Sequence, residues 1–276
     1  MVDVGGMIGP PARLVRTSKP GGTRWLAVLE PGTAAAYAAA VAAVAPAIEA
    51  SLRPEVLANR VAVSRGSLLL LQPWRAARTR FLARARVMAA SSGAVLVTDV
   101  RECYPSIVAP TVATRLDQLG CRRDDAGRIT DLLERLATWG VRGLPIGPAG
   151  SAVLANAVLA TADEAVADAG AVHLRWVDDF VVFTLDPDRA RDVLDRLRSS
   201  LAQLGLAIAE HKTIVACDPG AIERALSGAV SRTGARYHRR ADAHPLPGLE
   251  GPHALASPDG GVDPRRRQTR SAGGSR

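Results

Sequence analysis

The side chains best suited to chemistry are the adjacent carboxylates of Asp178 and Asp179, which stand between two apolar, strand-like segments, residues 172–177 and 180–185. A third carboxylate, Asp99, ends another apolar run. A pair of aspartates in a turn is commonly a solvated hairpin, whereas three carboxylates at the ends of neighbouring strands can hold two divalent ions. Two ions held in this way serve phosphoryl and nucleotidyl transfer. We therefore predict a metal-dependent site at these strand ends.

The elements that must position these aspartates follow the order strand, helices, strand, strand, helix, strand between residues 94 and 209. This order predicts an antiparallel sheet with helices packed on one face, a split βαβ arrangement that brings Asp99 beside the aspartate pair. The best-marked helix begins after Asp186, a suitable cap, and ends before Gly205. Other helices are predicted over residues 33–52, 73–88, 107–119, 125–139 and 151–169, and a short strand over 206–209.

The composition of the chain restricts its class and partners. Its 276 residues are 47% hydrophobic, which is enough to bury a substantial core. The net charge of +8 favours polyanionic partners, although Arg265, Arg266 and Arg267 place part of it in a Gly- and Pro-rich end. Three cysteines without a CxxC pair argue against a disulfide framework or a zinc site and indicate a reducing compartment. We expect a cytoplasmic protein without a signal peptide or a membrane span.

Five segments, taken in order, resemble the motifs of the reverse transcriptase family. Asp99, followed five residues later by Tyr104, is similar to the first catalytic motif of its palm domain. The second and third are matched by residues 143–156, in the pattern G-x-P-x-G…S…L-x-N, and by residues 176–179, usually written Tyr-x-Asp-Asp. The fourth is matched by residues 204–206 with Lys212, and the fingers turn by residues 19–24.

This resemblance implies an α+β fold, a right-hand polymerase with a ferredoxin-like (split βαβ) palm and a helix-rich fingers region. The fingers-like region would span residues 1–93 and the palm residues 94–217, with residues 120–147 as a fingers-side insertion. For residues 218–276, rich in Gly, Pro and Arg, we expect little ordered structure. The helical thumb that follows the palm in the family would then be minimal or absent.

The resemblance also implies roles for individual residues. Asp99 and Asp178 would hold two Mg²⁺ ions, with Mn²⁺ as a substitute, aided by Asp179 and by the backbone carbonyl of Val100. Lys212 would protonate the leaving pyrophosphate, although a plain surface lysine is an equal alternative.

The nucleotide would be bound by a second group of residues. Tyr104 would lie beneath the sugar and exclude a 2′-hydroxyl, the alternative being a core aromatic. The remaining members would contact the triphosphate or the nascent base pair, the alternatives being turn solvation and an ordinary capped loop: Lys19, Arg24, Gly147, Ser151 and Asn156.

Two departures from the family pattern are Ile146, where Gln or Thr is common, and Trp176, where Tyr is usual. The Ile-Gly-Pro version of the loop is similar to bacterial abortive-infection and defence-associated members. We therefore predict an RNA-directed DNA polymerase that adds dNTPs to a 3′-hydroxyl in antiviral defence, with an RNA template, a DNA product and an RNA or protein partner in place of the thumb. Alternatives left open are template-independent or protein-primed synthesis, a non-catalytic nucleic-acid-binding scaffold and a nucleotide cyclase.

Overall fold

The computed structural model describes residues 11–19, 22–66 and 68–228, with the side chain of Lys19 outside the description. In this part of the chain, the strands before the central sheet form two antiparallel hairpins: β1 (Ala12–Lys19) with β2 (Gly22–Leu29), and β3 (Val61–Arg65) with β4 (Leu68–Leu71). The second hairpin is not predicted from the sequence, because its strands are short and interrupted.

The central sheet consists of β5 (Ala94–Asp99), β6 (Val172–Trp176), β7 (Asp179–Thr184) and β8 (Ile214–Ala216) in the spatial order β6-β7-β5-β8. All three pairings are antiparallel, and the register places Asp99 opposite Asp179. The predicted proximity of the three aspartates is therefore confirmed. The predicted strand over 206–209 is wrong: Ile208 makes an isolated bridge to Val100, and β8 is the edge strand instead.

Helices surround the sheet, and the bounds of the longer ones agree with the predicted bounds to within a few residues, whereas the short helix Cys103–Ser106 is not predicted from the sequence. They are α1 (Pro31–Ser51), α2 (Trp74–Ala90), α3 (Cys103–Ser106), α4 (Ala109–Gln118), α5 (Arg123–Thr138), α6 (Ala149–Asp168) and α7 (Pro187–Gln203). Asp186 caps α7 as predicted, because its carboxylate accepts the N–H of Arg189 at 2.8 Å. A 3₁₀ turn (Glu210–Lys212) precedes β8.

Both faces of the sheet are covered, which corrects the prediction of helices on one face. Leu96 and Val182 point into the larger core with α6 and α7, whereas Val97 and Val181 point into a second core with α2. All residues of β5 and β7 are buried, as expected for strands covered on both faces. Strands buried on both faces have continuous apolar runs rather than alternating ones.

The second core also includes a helical segment at residues 219–228, through Ile222, Ala225 and Leu226. This segment lies within residues 218–276, for which we expect little ordered structure. Residues 229–276 lie outside the described part of the chain. The helix contributes apolar side chains to the face of the sheet that α2 covers.

Helix α1 is long and apolar enough to suit a membrane span by length and composition. In the fold it packs against α5 and α6, and Tyr37, Val41, Val44 and Ile48 are buried in the larger core. A core helix of a globular protein meets the same criteria of length and hydropathy.

Candidate active site

The turn between β6 and β7 carries Asp178. Trp176 pairs with Asp179, so Val177 and Asp178 form a two-residue hairpin loop. Val177 has φ +61°, a left-handed conformation that such turns usually assign to glycine or asparagine. A β-branched residue in this conformation is strained, at a cost of about 1–3 kcal/mol. The turn places Asp178 next to the end of β5.

The three aspartates form one cluster. Asp99, Asp178 and Asp179 each offer a carboxylate oxygen, and these oxygens lie within 4.8 Å of one another. All three residues are buried, with exposed fractions of 2%, 8% and 0%. Burying three carboxylates together is unfavourable unless cations compensate them. An all-oxygen donor set of this kind suits Mg²⁺, so these residues fit the metal site that the sequence predicts.

Lys212 is one of the cations at this cluster. Its Nζ donates to Asp99 Oδ2 at 3.2 Å. The 3₁₀ turn that carries Lys212 is held by Arg198 of α7, whose guanidinium donates to both carboxylate oxygens of Glu210, at 3.1 and 2.8 Å. The N–H of Ala209 also donates to the backbone oxygen of Asp99, at 2.7 Å. Lys212 therefore approaches Asp99 from a segment that is fixed to both α7 and β5.

A cavity of about 450 Å³ opens above the cluster. Six of the predicted site residues line it: Arg24, Asp99, Val100, Tyr104, Asp178 and Lys212. Asp179 is fully buried and is not among the residues that line the cavity. Trp25, Arg142 and Ile146 also line the cavity. The cavity lining thus combines acidic residues, Asp99, Asp178 and Glu102, with basic ones, Arg24, Arg142 and Lys212.

The Gly- and Pro-rich loop closes one side of this cavity by contacts between backbones. The N–H of Leu144 donates to the carbonyl of Tyr104 at 2.9 Å. Gly143 has φ +60°, and a Cβ there would lie 2.5 Å from the carbonyl oxygen of Pro105. The N–H of Ala27 donates to the carbonyl of Ile146 at 2.9 Å, which joins the loop to β2. The loop therefore holds Tyr104 and β2 together around the cavity.

Three predicted nucleotide contacts lie elsewhere. Ser151 and Asn156 are interior residues of α6 and do not line the cavity: Ser151 Oγ hydrogen bonds to the buried hydroxyl of Tyr37 at 3.0 Å, and Asn156 Nδ2 donates to the carbonyl of Ala58 at 3.0 Å. Gly147 is absent from the cavity lining as well and approaches the backbone of Ala27. Helix α6 turns the polar side chains of Ser151 and Asn156 towards the core, and contact of these residues and Gly147 with nucleotide stays a prediction.

Two further sequence expectations concern Lys19 and Trp176. The backbone of Lys19 pairs with Gly22 at the end of the first hairpin, but its side chain and residues 20–21 lie outside the described part of the chain. Trp176 is buried on the α2 side of the sheet, with its ring centroid 5.5 Å from that of Phe81. In this structure it is a core residue rather than a wall of the cavity.

A buried polar cluster beneath the turn is not predicted from the sequence. Asp163 of α6 accepts from Arg175 Nη2 at 2.7 Å and contacts His173 Nε2 at 2.9 Å, and all three side chains are at most 1% exposed. Burial raises the pKa of Asp163, but the charge of Arg175 and hydrogen bonds from His173 and Arg175 outweigh it, so the pKa lies below its usual value. The available signal was a basic residue inside an apolar strand, Arg175 before Trp176.

Comparisons with known proteins agree with this geometry. The family model for reverse transcriptase (RNA-dependent DNA polymerase) matches residues 70–249. No curated protein gives a significant match to the sequence.

Two solved structures share the fold at a TM-score of 0.50. One is apo telomerase from Candida tropicalis truncated from the C-terminal domain, at 12% identity over 75% of this chain and 50% of that chain. The other is telomerase from Candida albicans in complex with a fragment of telomeric RNA, at 13% identity over 76% and 43%. This chain thus spans about half the length of either structure. Because the family model covers well over half of the chain and includes all three clustered aspartates, the chain belongs to the reverse transcriptase (RNA-dependent DNA polymerase) family.

Proposed function

We propose that this chain is an RNA-directed DNA polymerase that adds deoxynucleotides to a 3′-hydroxyl. The observation that supports this most directly is the buried cluster of Asp99, Asp178 and Asp179, two of which, Asp99 and Asp178, line a 450 Å³ cavity, in a chain of this family. Nucleic acid as the partner is also supported by the net charge of +8. One of the similar structures, a telomerase, is itself bound to an RNA fragment.

Asp99 and Asp178 would hold two Mg²⁺ ions, because their carboxylates face the cavity, and Asp179 would support them from below. Two such ions, when bound, activate the attacking hydroxyl and neutralise the charge of the triphosphate. Val100, the residue after Asp99, lines the same cavity. Its backbone carbonyl would be a further ligand of the metal ions.

The cationic side chains around the cavity would act on the triphosphate. Lys212 carries a proton at Nζ, beside Asp99, and would deliver it to the leaving pyrophosphate. Arg24 and Arg142 also line the cavity, and their planar guanidinium groups would bind phosphate oxygens in pairs. Tyr104 would lie beneath the sugar ring.

The test is incorporation of labelled dNTPs on an RNA template with a DNA primer in Mg²⁺, comparing the wild-type chain with Asp99→Asn and Asp178→Asn. We expect both variants to reduce incorporation to background. Asp131→Asn is the matched control, since Asp131 is an exposed carboxylate on α5 outside the cavity. Incorporation by the two cavity variants at the wild-type rate would contradict the proposal.

The same assay separates the alternatives. Incorporation that persists without a template would favour template-independent synthesis, and labelled protein would favour protein priming. Nucleic acid binding without any incorporation would favour a scaffold, and a cyclic product from a single nucleotide would favour a cyclase. Retention of three buried carboxylates supports catalysis, because a scaffold has no need of so unfavourable a cluster.

A role in antiviral defence, a cytoplasmic location and a partner that replaces the thumb are further parts of this proposal. The defence role is supported by the resemblance of the Ile146 loop to bacterial defence-associated members, the cytoplasmic location by three cysteines without a CxxC pair, and the partner by the Gly-, Pro- and Arg-rich composition of residues 218–276. Expression of the wild-type chain and of Asp178→Asn in a bacterial host challenged with phage tests the defence role. We expect protection by the wild-type chain alone, and equal plaque counts for both strains would contradict it.

A further inference from the structure

The turn that carries Asp178 is strained and must be held by its surroundings. Val177 has φ +61°, although its side chain is β-branched. Backbone strain of this kind persists only where neighbouring groups over-determine the conformation. The carbonyl carbon of Val177 is bonded to the backbone nitrogen of Asp178. A hydrogen bond to the carbonyl of Val177 therefore fixes the peptide group that leads into Asp178.

Arg175 supplies that restraint. Its Nη1 donates to the carbonyl of Val177 at 2.8 Å and to Asn156 Oδ1 at 2.9 Å. Its Nε and Nη2 donate to the carboxylate of Asp163 at 2.7 to 3.0 Å. The guanidinium therefore spans from α6 to the turn, and its planar geometry fixes the direction of each hydrogen bond.

The backbone of Arg175 is fixed as well. Its N–H donates to the carbonyl of Glu55 at 3.0 Å, and its carbonyl accepts from Leu57 at 3.1 Å. The face of its guanidinium lies over Phe180, 5.8 Å from the ring centroid. Asn156 and Asp163 stand seven residues apart on one helix, which places them on the same face of α6. Arg175 is thus immobilised along its whole length, with 0% exposure.

We propose that Arg175 is a positioning residue that holds the Val177 carbonyl in place and thereby sets the affinity of Asp178 for divalent metal. The inference rests on the proposed function to the extent that the aspartate cluster binds metal. Groups that orient a metal ligand from behind typically contribute 10- to 100-fold in metal affinity. His173 has a different role, because it contacts Asp163 and Phe180 but not the turn.

The test compares Mn²⁺ binding to the full chain without nucleotide, followed by the electron paramagnetic resonance signal of the free ion. Arg175→Lys keeps a cation beside Asp163 but lacks the planar fork that reaches Val177. We expect its Kd for Mn²⁺ to rise by about 10- to 100-fold. In the polymerase assay, the Mg²⁺ concentration for half-maximal rate should rise similarly while the KM for dNTP stays unchanged.

His173→Phe is the matched control, since it removes a buried partner of Asp163 and leaves the contact between Arg175 and Val177 in place. We expect it to lower the midpoint of thermal unfolding without changing the Kd for Mn²⁺. Equal Kd values for Arg175→Lys and the wild-type chain would overturn the inference. So would a loss of affinity in His173→Phe as large as that in Arg175→Lys, because the effect would then follow stability alone.

A rescue experiment tests the route of the effect. Glycine adopts a positive φ without strain, so Val177→Gly should make the turn less dependent on Arg175. We expect Arg175→Lys to weaken Mn²⁺ binding less in the Val177→Gly background than in the wild type. An undiminished effect would overturn the proposed route through the turn.

If Arg175→Lys does not fold, the double variant Asp163→Leu/Arg175→Met replaces it, because exchanging a buried ion pair for apolar residues is often neutral for stability. It should fold and show the same loss of Mn²⁺ affinity, and wild-type affinity would overturn the inference. The readouts also separate the two proposals. Mn²⁺ binding that depends on Arg175 without dNTP incorporation contradicts the polymerase activity alone, whereas incorporation with unchanged Mn²⁺ affinity in Arg175→Lys contradicts the positioning role alone.

Discussion

At the scale of single residues, the three aspartates have different positions although they form one cluster. Asp99 ends a strand, Asp178 lies on the hairpin turn and both reach the cavity, whereas Asp179 is the first residue of β7 and is fully buried. Asp178 depends most on local backbone conformation, because it follows the strained Val177. Tyr104 at the cavity and Gly143 in the adjoining loop each carry a prediction.

Tyr104 lines the cavity and is held by the hydrogen bond from Leu144 to its carbonyl. We expect Tyr104→Ala to admit ribonucleotides, since the space for a 2′-hydroxyl would no longer be filled by the ring. The preference for dNTP over rNTP should fall by about 10- to 200-fold, which is the range over which a pocket discriminates substrates that differ by one small group. Ratios of kcat/KM for the two nucleotides measure it. Tyr104→Phe keeps the ring and should retain the preference; a similar loss in both variants would contradict the steric explanation.

Gly143 combines a positive φ with a close approach to the backbone at Tyr104 and Pro105. We expect Gly143→Ala to displace the loop and to lower both the free energy of unfolding and the rate of incorporation. Gly120→Ala is the control, since Gly120 has φ +69° with nothing within 4 Å of the added Cβ. The control should lose only the roughly 1–2 kcal/mol of left-handed strain. Urea unfolding measures the free energy of unfolding of both variants, and dNTP incorporation measures their rates. Equal losses of stability in Gly143→Ala and Gly120→Ala would show that the clash is unimportant.

At the scale of elements, the site is assembled from segments that meet at one end of the sheet. β5 and the β6–β7 hairpin bring the carboxylates, the 3₁₀ turn brings Lys212, and the Gly- and Pro-rich loop joins Tyr104 to β2. Helix α6 supports the hairpin from below through Asn156 and Asp163. The relative placement of these elements therefore depends on contacts between them as much as on the elements themselves.

The contact between α7 and the 3₁₀ turn gives a prediction at this scale. Arg198→Lys removes the fork that holds Glu210, so the segment carrying Lys212 should become more mobile. We expect kcat to fall, by less than the roughly 10²-fold or greater loss expected for Lys212→Ala as a lost general acid. The free energy of unfolding should change little, because the ion pair between Arg198 and Glu210 is largely exposed. Steady-state kinetics with both variants measures this, and an unchanged kcat in Arg198→Lys would argue against the positioning of Lys212 by α7.

At the scale of the whole molecule, the sheet separates two cores, and the buried cluster of Asp163, His173 and Arg175 lies on the α6 side of the aspartate turn. A fully buried ion pair contributes little net stability relative to apolar residues, but breaking it by removing one partner costs about 3–5 kcal/mol. Protonation of Asp163 would therefore lower the stability of the fold.

The lowered pKa of Asp163 gives the sign of a pH effect on stability. Since the folded pKa lies below the unfolded value of about 3.9, the ionised group stabilises the fold above that pH, and this stabilisation is lost as the pH falls towards the folded pKa. We expect the free energy of unfolding to decrease below about pH 4 by up to about 1.4 kcal/mol per pH unit from this group.

Urea unfolding between pH 6 and 3 measures this dependence. The double variant Asp163→Leu/Arg175→Met lacks the titrating group and should show a shallower decrease over the same range. Identical slopes in the two proteins would contradict the assignment of this acid dependence to Asp163.

Local sequence patterns were sufficient for much of this architecture. The helices follow from apolar periodicity and from caps such as Asp186, and β5 and β7 follow from apolar runs that end or begin at Asp99 and Asp179. The pairing of those strands follows from their order in the chain. The helices and the strands themselves depend on interactions between residues close in sequence or on a period that one segment carries alone, whereas the pairing of β5 with β7 joins segments far apart in the chain.

The direction of single polar side chains on a mainly apolar helix could not be predicted in the same way. Ser151 and Asn156 match a family motif, yet they bond to Tyr37 and to the segment at Ala58, more than 90 residues away in sequence. The β3–β4 hairpin and the helix at 219–228 were missed because short or marginal segments gain their stability from the core on which they pack.

Local patterns in the sequence were enough to identify the three aspartates that form the cluster, because carboxylates at the ends of apolar strands are a local signal. How those groups are held depends on contacts in the folded chain: which oxygens converge, which residues line the cavity, and how Arg175 joins α6 to the strained turn at Val177. The physical reason is that a buried charge is stable only where partners distant in the chain are brought within hydrogen-bonding distance, and the chain order alone does not specify those partners.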